Sequence, residues 1–128
     1  MLRFCLLSLL IAPLLVLPLS GRAESFSHSV EKITFNLAVI SPAGLIGEGT
    51  NLQSVSYEFC IPATETHRTE VQAIDPSVQY FPHSRGRIDC SDDQILCIGH
   101  THQARWREIL QQLASLDYVE RIDRFWGE

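Results

Sequence analysis

GRIDCSDDQILCIGH, Gly86 to His100, holds two of the chain's four cysteines, and its reading decides the fold. Apolar residues flank an acidic turn, so the stretch reads as two strands of a hairpin. A four-residue loop from Asp92 to Ile95 sets Ser91 against Leu96 and Cys90 against Cys97. The two thiols then face each other, and a Cys90–Cys97 disulfide is the expectation.

Working outward, KITFNLAVI alternates, with Ile33, Phe35, Leu37 and Val39 on one face, and predicts a half-buried strand. SPAGLIGEGTN, rich in glycine, reads as a loop. SVSYEFCI predicts a second strand with Val55, Tyr57, Phe59 and Ile61 on one face and Ser54, Ser56, Glu58 and Cys60 on the other. Pro62 ends it, because proline cannot donate to a ladder. From Thr64 to Asp75 the spacing of His67, Val71 and Ile74 predicts a short helix, capped by Thr64 and closed where Asp75 meets Pro76. Trp106, Ile109, Leu110, Leu113 and Leu116 recur at helical spacing and predict a second helix. YVERIDRFW alternates again and reads as a closing strand. The predicted order is strand, strand, helix, strand, strand, helix, strand. It implies an α+β domain with a single mixed or antiparallel sheet and two helices on one face, a ferredoxin-like sandwich.

The N-terminus combines Arg3, an apolar run from Phe4 to Leu17 broken by Pro13, and Gly21 and Ala23 at the positions a signal peptidase reads. Residues 1–23 are therefore expected to be a cleavable signal peptide, since a spanning helix needs about 20 uninterrupted apolar residues. Residues 24–31 read as a flexible N-terminal segment and 32–128 as one globular domain. Arg3 and Arg22 leave with the leader, so 8 basic residues face 15 acidic ones, a formal charge of −7. That balance repels phosphate backbones, which argues against nucleic acid, and the membrane is met only through the leader. Export to the periplasm, to an internal lumen or out of the cell follows. Cys5 departs with the leader, leaving Cys60, Cys90 and Cys97 where thiols oxidise.

Several residue sets carry possible chemistry. Cys90, Cys97, His100 and His102 supply two thiolates and two imidazoles, the donor set of a zinc or copper site. Their spacing matches no strong zinc signature, and export favours the disulfide. Without metal, Thr101 or His102 serves the helix N-terminus. A cysteine nucleophile requires an activating base, and no family-specific signature surrounds any cysteine here. Asp89, Asp92 and Asp93 lack the spacing, glycine and closing glutamate of a calcium loop and read as a solvated turn. Arg85 and Arg87, flanking Gly86 beside His83, offer forked donors for a carboxylate or phosphate, or else form a solvated edge. Phe125 and Trp126 beside Arg121 and Arg124 have the composition of a protein-binding hot spot. The function expected from these features is that of a small exported accessory protein, a non-catalytic binding module without a cofactor, whose partner is another protein. A zinc- or copper-binding protein is the second reading and a cysteine-dependent enzyme the third.

Overall fold

The computed structural model describes residues 12–16 and 28–127. The expected signal peptide falls largely outside the described residues; within it, Leu14, Leu15 and Val16 are more than four-fifths exposed. Residues 28–31 are helical, and Ser29 among them is buried. Among the described residues no helix is long and apolar enough to cross a membrane.

The chain folds as mixed α and β structure with two antiparallel sheets. The small sheet pairs β1 (Leu45–Ile46) with β2 (Gln53–Ser54). The larger one contains β3 (Ser56–Pro62), β4 (Gln79–Phe81), β5 (Gln94–His100) and β6 (Asp123–Phe125), in the order β4-β5-β3-β6. Helix α1 (Glu65–Ile74) connects β3 to β4, and α2 (Trp106–Ser115) connects β5 to β6.

The expected single sheet is thus corrected to two. The glycine-rich stretch expected to be a loop supplies β1, one strand of the extra pair, which folds back onto β2 just beyond it, with Gly44 and Gly47 at positive φ. At Gly44 a Cβ would sit 1.7 Å from the Thr101 carbonyl oxygen, so only glycine allows that approach. The expected first strand, KITFNLAVI, is also absent. Ile33 makes one parallel bridge to Ile122, after which the Asn36 side chain accepts from the Ala38 amide and starts a 3-10 turn over Leu37–Val39. That local bond wins over alternation, and it leaves Val39 exposed while Ile40 is buried.

The hairpin expected in Gly86 to His100 is corrected as well. Only its second half is a strand; residues 86–89 are turns, with Gly86 and Asp89 both at φ 64°. A strand cannot run through two left-handed residues. The neighbours of β5 are instead β3, across seven residue pairs, and β4, across three.

Alternation along β3 sorts its side chains as the sequence predicts: Val55 just before it and Tyr57, Phe59 and Ile61 within it are almost fully buried. The facing residues Ile95 and Cys97 join them, together with Val71 of α1 and Trp106, Leu110, Leu113 and Ala114 of α2. Both helices therefore drive their apolar stripes into one cluster, each fully buried Leu or Ile contributing about 2 kcal/mol. Thr64 caps α1 by accepting from the His67 amide, and Asp75 ends it, as expected. At α2 the N-cap is Arg105 in left-handed geometry with no side-chain bond. The Thr101 hydroxyl, expected at the helix N-terminus, is fully buried and ties the Val55 amide to the Gly44 carbonyl.

Candidate functional site

Among the described residues the opposite face of the large sheet is bare of helices. Residue alternation places Ser56, Glu58 and Cys60 of β3, Gln79 and Phe81 of β4, Leu96, Ile98 and His100 of β5, and Asp123 and Phe125 of β6 on it. One half is roofed by the segment between β4 and β5. A disulfide joins Cys60 to Cys90, and Ile88, Cys90 and Leu96 form a second small core with Cys60 and Ile98. Glu58 Oε1 accepts the Ile88 amide at 2.8 Å, Arg121 Nη2 donates to the Ile88 carbonyl at 3.0 Å, and Ala63 donates to the Asp93 carbonyl. The roof stops at Gly86, where an added Cβ would lie 2.8 Å from Leu96 and 3.0 Å from Glu58 Oε2.

Beyond Gly86 the face opens into a cavity of about 700 Å³. Leu96, Ile98 and His100 run along its floor, Gln79 and Phe81 form one wall, and Ser56 and Phe125 form the other. Arg87 enters from the roof, and Ser77, Ser84, Gly86, Gly99 and Gly127 complete the lining. The volume lies within the roughly 300–1,000 Å³ typical of small-molecule sites, and four apolar side chains share the lining with six polar ones.

Two polar atoms here are buried without a partner among the described residues, Glu58 Oε2 and His100 Nδ1. Burial raises the Glu58 carboxyl above the ordinary range, and Asp123 adds to this; the Ile88 amide, Arg87 and Arg121 oppose it. His100 is set by backbone contacts, its amide donating to Ser77 Oγ and its carbonyl accepting from Gln103 Nε2. Ser77 and Gln103 also donate to Asp75, which takes the Tyr57 hydroxyl as well. Asp75 is fully buried and thereby satisfied. This network fixes the His100 end of the cavity. Burial, with the Asp75 charge second, raises the Tyr57 hydroxyl far above its usual range, so it stays a donor.

The residues singled out in the sequence scatter. The expected Cys90–Cys97 disulfide is not made, because β5 alternation sends Cys97 to the helix side, opposite Phe59, whereas Cys90 lies beneath the other face. Cys97 is free, fully buried, and its thiol is pushed up to about 12, chiefly by burial. A thiol so placed is not a nucleophile at neutral pH. The proposed zinc or copper ligands Cys90, Cys97, His100 and His102 are not assembled either. Cys90 is spent in the disulfide, Cys97 faces the other way and His102 lies exposed past the strand. Among the described residues no three His, Cys, Asp or Glu side chains are placed to share an ion.

The C-terminal set divides. Phe125 lines the cavity, Arg121 pins the roof and pairs with Asp123, and Arg124 stacks on Trp126 at 3.8 Å, with Trp126 63% exposed. Arg85 and Arg87 also part company. Arg85 lies near Asp89 and Asp92 and donates to the Cys90 carbonyl, whereas Arg87 makes no ion pair within 4.0 Å among the described residues. The cavity itself escaped the sequence reading. Its signal was QILCIGH, apolar at nearly every position, which marks a strand with apolar surroundings on both faces. Comparison of the chain with protein-family models, with curated proteins and with solved structures found no match.

Proposed function

We propose that this chain is an exported, non-catalytic binding module that holds its ligand on the helix-free face of the large sheet. The observation that carries this reading is the 700 Å³ cavity, with its apolar floor and the unpartnered His100 nitrogen. The Cys60–Cys90 disulfide is compatible with an oxidising, exported compartment. The connection of β3 through α1 to β4, then β5 through α2 to β6, with order β4-β5-β3-β6, supports a ferredoxin-like unit whose open face is used.

The test is binding of the uncharged dye N-phenyl-1-naphthylamine, which fluoresces in apolar surroundings, to protein recovered from an oxidising compartment after expression of the full chain. Saturable enhancement that Ile98→Trp abolishes supports the reading. No enhancement by any apolar probe on a folded chain ends it. A protein partner is the second reading, favoured by exposed Trp126 under the Arg124 guanidinium, in sequence between the lining residues Phe125 and Gly127. Trp126→Ala would then cost partner capture while leaving dye binding intact.

A further inference from the structure

We infer that the cavity selects a small organic anion with a flat apolar body, its charge on Arg87 and its far end on His100. This rests on the reading of the chain as a binding module and adds the chemistry of the ligand. The chain carries 15 acidic residues against 10 basic ones, yet the cavity lining contains Arg87 and no Asp or Glu. Local charge thus runs against global charge, and the exposed Arg87, without an ion pair within 4.0 Å among the described residues, borders a chamber that Phe81, Leu96, Ile98 and Phe125 share with polar side chains. A guanidinium offers forked donors suited to carboxylate or sulfonate oxygens, and it binds them more strongly where water is thinned.

Glu58 beneath the roof is buried, accepts the Ile88 amide through Oε1 and forms no ion pair with Arg87 within 4.0 Å among the described residues. The dimensions give the rest. Arg87 follows the Gly86 turn above Leu96, and His100 lies four residues further along β5, about 13 Å at the usual rise per residue. Phe81 and Phe125 stand on opposite walls with Ile98 between them. An apolar body about two fused rings long, anionic at one end, fits that trough; at the other end the His100 side chain closes the lining, its Nδ1 buried without a partner among the described residues.

The experiment compares two dyes of one skeleton, 8-anilino-1-naphthalenesulfonate and the uncharged N-phenyl-1-naphthylamine, by fluorescence titration. Near-ultraviolet circular dichroism of each variant checks that it is folded. The anion should bind about tenfold more tightly, the difference expected of one charge-assisted contact. Arg87→Gln, an exposed substitution, should erase that preference by weakening the anion about tenfold; Ile98→Trp should displace both dyes. Equal affinities for the two dyes, or an anion preference that survives Arg87→Gln, would overturn the anion assignment while leaving the binding module standing. Binding that survives Ile98→Trp lies outside the cavity and overturns both, as does failure of either dye to bind.

Discussion

The two halves of the helix-free sheet face are built from the same strands in the same register, and they differ only in what lies above them. Over Glu58, Cys60 and Leu96 the 82–93 segment packs down and makes a closed secondary core. Toward Ser56 and His100 that core ends, with Ile98 at its edge, and a cavity remains among the described residues. A roof that inserts only Ile88 and Cys90 gains a few kcal/mol from burial. Ordering its backbone costs roughly 1–2 kcal/mol per residue. Burial alone cannot hold it, so the disulfide, the Glu58 acceptor and the Arg121 donor are what keep one half shut. The lesson is that a sheet face without helices is covered only as far as its polar and covalent anchors reach.

Ways to break this contrast rank by size. Leu113→Ala, in the helix-side core that supports both halves, should cost about 3.5 kcal/mol by urea unfolding, since the leucine is completely buried. Removing the Cys60–Cys90 link, which spans 30 residues, should cost about 3 kcal/mol. Hydrogen exchange would show where: protection should vanish at Ile88 and Cys90 and persist in α2, whereas uniform loss would deny the roof its separate anchoring. Tyr57→Phe, which deprives Asp75 of one donor, should cost about 1.5 kcal/mol and loosen the His100 end.

Glu58→Gln sharpens the comparison through pH. A carboxyl whose folded value is raised binds its proton more tightly when folded. Its contribution to stability is therefore full at low pH and is lost as pH rises from the ordinary value of about 4.5 toward the folded value. The glutamine variant keeps the acceptor for Ile88 and should flatten that part of the stability profile; an unchanged slope would mean Glu58 is not the group responsible. Smallest of all, Arg85→Ala removes exposed ion pairs with Asp89 and Asp92 and should shift stability by less than about 0.5 kcal/mol.

Much of the helix-side architecture was legible before folding. Tyr57, Phe59 and Ile61 share a face because side chains alternate along any strand, and Leu110 and Leu113 share one because helical spacing is equally local. Thr64 and Asp75 bound α1 through bonds within a few residues of themselves. Where local bonds misled, the competitor was also local: Asn36 turned an alternating run into a 3-10 turn. The candidate site was far less legible. Phe125 and Arg87 drew notice for their chemistry, but Ser56, Gln79, Phe81 and Ile98 meet only when three separated strands pair.

The sequence by itself determined the α and β mixture, both helices, the face to which each β3 residue points, and a cysteine set suited to oxidation. Tertiary structure alone decided that Cys90 reaches Cys60, that Cys97 is sealed in the core, and that half of one sheet face stays open among the described residues. The reason is range: alternation and capping act over a few residues, while the choice of neighbouring strand is a contest among distant segments that only the assembled core can settle.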